Sequence, residues 1–314
     1  MISHTSGYIL QHKKENTPCR LFYNHYTSED QPIRAAILIV HGMKEHSGRY
    51  DIFARFLSEK GFAVLTYDHC GHGHSVNDKT ALGYFQKDKP DKKLVQDAEL
   101  LADKLKALYP DTPRFVLGHS MGSFVTRLLL QHNADKFRGA IFTGTGGKNP
   151  TAVFSKPLIG LLNKISPTRR SNFINSTFDK MNNMRFKNEP DATSSSWLSL
   201  DKANREAFDN DPLCGFPFTN NGFYTLITIN TSATKKDWAK NIPKQFPLLF
   251  LSGAADPIGN FGIGIKKIVA DLKNKGFEDI EMRLYDRMRH EILNESIKSQ
   301  VYDDITTWIE KHLE

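Results

Sequence analysis

A short apolar run, Arg114-Phe115-Val116-Leu117, leads straight into Gly118-His119-Ser120-Met121-Gly122 and then into a helical pattern. This is G-x-S-x-G in the strand–turn–helix context that gives it chemical meaning. A serine on a sharp turn projects its Oγ into a cleft, and small residues two positions either side let neighbouring chain approach. The amino end of the following helix adds N–H groups and a positive dipole where an oxyanion develops. These properties fit Ser120 as a nucleophile in acyl transfer. A turn with a capping serine reads the same in isolation, so a base and its orienting acid must also be found.

Both are present, in the order serine, acid, histidine that this chemistry uses on such a fold. Asp256 follows the apolar run 248–252 in Gly253-Ala254-Ala255-Asp256-Pro257, and His290 follows the run 280–284 in Asp286-Arg287-Met288-Arg289-His290-Glu291. Each falls in a loop beyond the carboxyl end of a strand, where open α/β sheets collect ligands. Asp279 and Asp286 are rival acids. Asp279 precedes its strand, at the other end of the sheet, and Asp286 shares the loop of the histidine, where local hydrogen bonding is its ordinary role; Asp256 is preferred. An oxyanion hole needs two backbone N–H groups. Met121 supplies the one after the nucleophile, and Met43 the other, because Ile37-Leu38-Ile39-Val40-His41-Gly42-Met43 is a strand ending in a glycine turn.

Residues so far apart in sequence need a sheet to bring them together. Runs at 36–40, 63–67, 114–117, 140–143, 248–252 and 280–284 alternate with helical patterns at 50–60, 94–109, 121–132 and 263–275, and a last helix spans 297–312. This alternation predicts an α/β fold, a mostly parallel central sheet flanked by helices on both faces. Two segments of mixed polarity, 7–11 and 20–26, read as an antiparallel edge. The alternation fails from about residue 146 to 241, which divides the chain into a core of 1–145 and 242–314 and an insertion of 146–241. Within it, 152–165 is apolar, and ordinary packing on the body is favoured over a greasy lid. The stretch 211–229 carries Phe216, Phe218, Phe223, Tyr224, Leu226 and Ile227, a load able to line an acyl-chain pocket.

Composition sets the outer limits. The 314 residues, 39% apolar and 25% charged, are enough for a real core and exclude disordered and fibrous classes. No apolar run approaches the ~20 residues of a membrane-spanning helix. The amino-terminal residues show no basic segment followed by an apolar stretch, so a cytoplasmic location is expected. Cys19, Cys70 and Cys214, at unrelated spacings, read as free thiols. A net charge of +7 admits peripheral contact with an anionic membrane surface. The basic residues come in scattered pairs, Lys13-Lys14, Lys92-Lys93, Arg169-Arg170, Lys235-Lys236 and Lys266-Lys267. They lack the aromatic interleaving of a nucleic-acid binder, so no nucleic-acid partner is expected. Oligomeric state is left open.

The segment His41-Gly42-Met43-Lys44-Glu45-His46-Ser47-Gly48-Arg49-Tyr50 resembles the HGxxEHSxRY signature of monoacylglycerol lipases and lysophospholipases, a serine aminopeptidase S33-type family of the α/β-hydrolase superfamily. Asp68-His69-Cys70-Gly71-His72-Gly73-His74-Ser75, the elbow at 118–122, the acid loop at 253–256 and His290-Glu291-Ile292-Leu293-Asn294-Glu295 match further pieces in order. The resemblance implies an α/β-hydrolase fold with an inserted helical cap, acting on a small-molecule lipid or ester with no cofactor and no metal. It assigns the nucleophile to Ser120, the acid to Asp256, the base to His290 and the oxyanion amides to Met43 and Met121. His-x-His can chelate zinc, but the resemblance makes His69, His72 and His74 a turn beside the cleft. It leaves Glu45, Arg49 and Asp68 to brace loops. The acid loop departs from the family in continuing Pro257-Ile258-Gly259-Asn260-Phe261-Gly262, glycine-rich where an aliphatic pair is usual.

The favoured activity is hydrolysis of single-chain lipid esters through an acyl-enzyme. A short-chain carboxylesterase, an amide hydrolase and an acyltransferase with the same triad are the alternatives. A non-catalytic binder is disfavoured because every catalytic position holds a competent residue. Dehalogenases and epoxide hydrolases use a carboxylate where this chain has Ser120.

Overall fold

The computed structural model describes residues 1–10 and 19–314. Eight strands form one sheet in the order β1-β2-β4-β3-β5-β6-β7-β8. They are β1 (Ile2–Leu10), β2 (Arg20–Ser28), β3 (Ala35–Val40), β4 (Phe62–Tyr67), β5 (Arg114–His119), β6 (Gly139–Thr143), β7 (Leu248–Gly253) and β8 (Ile280–Tyr285). From β4 to β8 every pairing is parallel; β1 and β2 add the antiparallel edge. That edge is longer than the sequence suggested, because all of Ile2–Leu10 registers against Arg20–Ser28. Gln11 and the pair Lys13-Lys14 lie outside the described residues.

The central strands are apolar without alternation because both faces are covered. Successive side chains still point to opposite sides. Ala36, Leu38, Val40, Val116 and Phe250 face one core with α2 (Pro90–Leu108), α3 (Met121–Asn133) and α8 (Ile263–Asn274). Ile37, Ile39, Phe115, Leu117 and Leu251 face the other, with α1 (Asp51–Glu59) and α9 (Lys298–Lys311). Helix α2 starts four residues before its apolar pattern because Pro90, with its preset φ and no N–H to satisfy, opens it.

Between β6 and β7 the chain carries α4 (Pro150–Ile165), α5 (Asn172–Asn182), α6 (Lys202–Asn210) and α7 (Asn220–Ala233). Helix α7 packs on α3 and α4. The expectation that 152–165 packs in the ordinary way is corrected here. Ile159 is the one fully buried residue of α4, whereas Phe154 is 84% exposed and Leu158, Leu161 and Ile165 are also exposed. The spacing 154, 158, 161, 165 puts these four on one helix face. The later part of the insertion is tied to the sheet domain by hydrogen bonds. Thr219 Oγ1 donates to the Gly83 carbonyl (2.7 Å), Phe85 N–H to Asn221 (3.0 Å) and Leu200 N–H to Glu295 (2.8 Å). The side-chain bonds of α4 go instead to Thr231 and Asn221 of α7.

Strand order reverses between β3 and β5, which lie side by side with their chains departing in opposite directions across the sheet. The carboxyl ends of these strands bound the crevice where such sheets bind ligands. Gly42-Met43 follows one and Ser120 the other. Among the described residues no helix is long and apolar enough to cross a membrane.

Candidate active site

Ser120 has φ +51° and ψ −119°, a conformation an L-residue adopts only when its surroundings impose it. Its N–H donates to the Thr143 carbonyl (3.0 Å) on the adjacent strand, and α3 begins at the next residue. The flanking glycines are required by contact. A Cβ on Gly122 would lie 2.0 Å from the Val40 carbonyl oxygen, and one on Gly118 would lie 2.5 Å from Thr126 Oγ1. The first turn of α3 therefore seats directly on the end of β3. A Cβ on Gly42 would come within 3.0 Å of the Ser120 Cβ, so the β3 loop closes over the serine from the other side.

His290 and Asp256 arrive from β8 and β7. His290 Nδ1 lies 3.0 Å from Asp256 Oδ2, and the two residues are 2% and 0% exposed. Burial alone would depress the imidazole pKa, but the Asp256 charge and hydrogen bond outweigh it and hold His290 above its ordinary value. The ring is sandwiched between His119, the residue before the serine, and Trp197 of the insertion, each at 4.8 Å between centroids. The rival acids lie elsewhere: Asp279 pairs with His312 (3.0 Å), and Asp286 is exposed. The glycine-rich stretch after Asp256 takes left-handed φ at Asn260, Phe261 and Gly262. That coil returns the Phe261 N–H to the Asp256 carbonyl (2.8 Å), while Asp256 Oδ1 accepts from Ile258 N–H (2.8 Å). Among the described residues neither the Met43 nor the Met121 amide donates to another group, so two N–H groups beside Ser120 are free for an oxyanion.

A buried ionic network holds these loops in register. Arg49 binds Glu291, the neighbour of His290, through both Nη atoms (2.5 and 2.8 Å) and reaches Glu45 at 3.4 Å. Glu45 in turn accepts from the Gly42 N–H (2.6 Å) and the Tyr50 hydroxyl (2.9 Å). Asn204 of α6 closes the circuit, accepting from Arg49 (2.8 Å) and donating to Glu291 (2.9 Å). Burial pushes Glu45 upward, whereas for Glu291 the guanidinium overcomes burial and lowers it. Asp68 does similar work nearby, accepting from the Ser47 and His74 N–H groups at 2.7 Å each. The sequence pointed to Glu45, Arg49 and Asp68 as braces but gave no role to Glu291, Asn204 or Trp197. For Glu291 the available signal was its place beside His290; the other two sit in a stretch without pattern.

The histidine-rich turn is a hydrogen-bonded stack. His69 N–H donates to His41 Nε2 (2.9 Å), His69 Nε2 lies 3.1 Å from the His41 carbonyl and His41 Nδ1 lies 2.7 Å from the Gly42 carbonyl. Burial lowers His69 to about 4 and His72 to about 3, so both are neutral spacers at physiological pH. His46, Asp211 and Cys214 bring three donor types within 4.8 Å. His46 Nδ1 accepts from Gly48 N–H (3.2 Å), which makes its Nε2, 2.8 Å from Asp211, the protonated nitrogen. Neither ring nitrogen then has a lone pair to offer a metal.

Ser120, Met43 and Met121 open on a cavity of about 340 Å³ walled by Phe124, Leu158, Ile159, Phe178, Trp197, Phe223, Leu226 and Ile227, with no charged side chain in its lining. Three of the apolar residues expected from 211–229 are here. Phe216 and Phe218 instead pack on His72, and Phe218 also on Phe85.

The sequence family described as "Serine aminopeptidase, S33" matches residues 31–297. Among curated relatives, the monoglyceride lipase of Mus musculus is 24% identical over 92% of this chain and 86% of its own length. The monoglyceride lipase homolog of Monkeypox virus is 28% identical over 88% and 89%. Among solved structures, a thermostable carboxyl esterase from Bacillus coagulans in complex with glycerol superposes with a TM-score of 0.88 at 26% identity, covering 98% of this chain and 99% of that one.

Replacing Arg49 by methionine leaves Glu45 and Glu291 buried without their cation. Stability by urea unfolding is expected to fall by about 3–5 kcal/mol near neutral pH. Because the unpaired carboxylates would then take up protons more readily folded than unfolded, the loss should shrink as pH is lowered; a loss that is independent of pH would remove the charge argument.

Proposed function

The chain belongs to the family described as serine aminopeptidase, S33, and from that premise we propose that it is a serine carboxylester hydrolase of the monoacylglycerol lipase or lysophospholipase type. In this reading His290, oriented by Asp256, takes the proton of Ser120 as its Oγ attacks the ester carbonyl. The Met43 and Met121 amides hold the oxyanion, the alcohol leaves with the proton from His290, and water activated by the same histidine releases the fatty acid. The observation that carries the lipid assignment is the cavity at Ser120, whose lining has no charged residue. An aminopeptidase must hold the α-ammonium group of its substrate, and a wall without a carboxylate offers it no partner. An acyl chain needs only apolar surface.

The proposal takes residues 146–241 as a cap over the catalytic centre and 1–145 with 242–314 as the core. The cap supplies Leu158, Ile159, Phe178, Phe223 and Trp197 to the cavity wall. It also carries the exposed face of Phe154, Leu158, Leu161 and Ile165, with Phe173 of α5 80% exposed close by. Lys164 and Arg169 are exposed beside that face in the chain. Apolar residues edged by cations suit an anionic lipid surface, where a single-chain substrate resides. A cytoplasmic location is part of the same proposal, supported by Cys70 and Cys214, which are buried and form no disulfide.

Ser120→Ala is expected to lower turnover on long-chain monoacylglycerol by on the order of a millionfold. Activity retained in a clean preparation, or a preference for short nitrophenyl esters over long-chain monoacyl lipids, would overturn the nucleophile or the lipid reading respectively. Since His290 must be neutral to act and its pKa is raised, kcat/KM should fall as pH drops, with an inflection above the ordinary histidine value of 6.5. Asp256→Asn removes the charge that most opposes burial, leaving only Glu291 and Glu45 against it, so the inflection should move down while kcat drops by about 10⁴; an unmoved inflection would exclude Asp256 as the partner. Docking of the cap face is read by vesicle sedimentation. Phe154→Asp with Leu161→Asp should weaken binding to anionic vesicles on the order of a hundredfold, and unchanged binding would discard that face.

A further inference from the structure

A larger cleft, about 1080 Å³, runs along α8 and is bounded by the carboxyl end of α7, the amino end of α4 and the loop after Asp256. It adjoins the Ser120 cavity, since Gly147, Asn149, Pro257 and Ile258 line both. The two differ in charge. Lys148, Lys235, Lys236, Lys267 and Lys275 edge this cleft and Arg127 lines it. Asp237 and Asp271 share the rim, leaving the cations in excess. Among the described residues, Lys148, Lys235, Lys236 and Lys267 pair with no carboxylate.

Arg127 is an independent sign of an anion. It is 1% exposed, and its guanidinium donates only to neutral oxygens, Nη1 to the Gly146 carbonyl (3.1 Å) and Nη2 to Thr145 Oγ1 (2.7 Å). Its Nε has no acceptor, and the rings of Phe124, Phe142 and Trp238 surround it. Burial lowers its pKa to about 9, so it stays charged at neutral pH. A buried cation costs free energy unless a counter-charge is near, and among the described residues no carboxylate touches this one. The amino end of α4 adds its positive dipole end.

We propose that this cleft binds a phosphate group, and that the phosphate is the head group of a single-chain phospholipid whose acyl chain occupies the adjoining apolar cavity. Several lysines as point charges along a cleft that also holds a fixed buried cation match a dianion bearing several acceptor oxygens. The proposal rests on the lipid-ester reading and, of the two substrate classes in it, favours the one with a phosphate head group over the neutral monoacylglycerol.

Binding can be measured apart from turnover, with Ser120→Ala protein titrated with a monoacylglycerol phosphate, the matched monoacylglycerol and inorganic phosphate. The phosphorylated lipid is expected to bind more tightly than the neutral one, with an advantage that shrinks as salt is raised. Lys148→Gln with Lys267→Gln should cut that preference roughly tenfold, the scale of one charge-assisted hydrogen bond. If inorganic phosphate binds at these lysines but the phosphorylated lipid is not preferred, the head-group assignment is overturned and the cleft serves a free phosphate. If inorganic phosphate neither binds nor competes and the double variant changes nothing, the site itself is overturned. Cleavage of monoacylglycerol by the unmodified protein would then still support the ester-hydrolase reading, so the two failures are distinguishable.

Discussion

A serine held at φ +51° at the end of a sheet strand constrains most of what surrounds it. The turn can be that tight only if the residues two positions away lack side chains, because Gly118 meets Thr126 and Gly122 meets the backbone of β3. It can stay that tight only if β3 and β5 are neighbours in fixed register, which pairing Val40 with Gly118 ensures. Local strain of about 1–3 kcal/mol persists where the surrounding packing over-determines it. Here that packing is two apolar layers, one on each face of the sheet, with β3, β4, β6 and β7 buried end to end. The same register puts the Met43 and Met121 amides beside the serine, so the strain and the proposed oxyanion site are one construction.

Around that turn the polar and apolar requirements are kept apart. On one side, a guanidinium shared by two buried carboxylates links the loop after β3, the loop after β8 and helix α6. The shared cation serves Glu291 better than Glu45, and the two acids are displaced in opposite directions as a result. On the other side, the cavity wall has no charge at all. A carbonyl bound between them would meet fixed dipoles at its reacting end and hydrocarbon along its tail.

The sheet was legible in the sequence because covered parallel strands leave uninterrupted apolar runs and their connecting helices leave a period of 3.6. The five residues proposed for catalysis were legible for a related reason: each lies in the turn or loop beyond the carboxyl end of a strand, and the ends of strands can be located. Asp256 could be preferred to Asp279 simply from which end of its strand it occupies, and Asp279 in fact binds His312. What escaped lies where no period exists. Asn204 and Trp197 come from a stretch whose fold is dictated by contacts with the core, not by its own pattern. Helix α4 was read as an ordinary packed segment because an apolar residue reads alike whether it faces a core or solvent. Its exposed face emerged only once its neighbours were placed.

The uneven fastening of the insertion has a kinetic side. Residues 199–221 are bonded through Glu295, Glu291, Gly83 and Phe85 to loops that belong to the sheet domain. Helix α4 is bonded to α7 and buries little of its own apolar surface. Local opening free energies scale with buried contacts and backbone protection, so the amides of α4 are expected to exchange faster than those of the central strands. One continuous insertion is thus fastened in two ways, and its less buried helix, α4, carries Leu158 and Ile159 of the cavity wall.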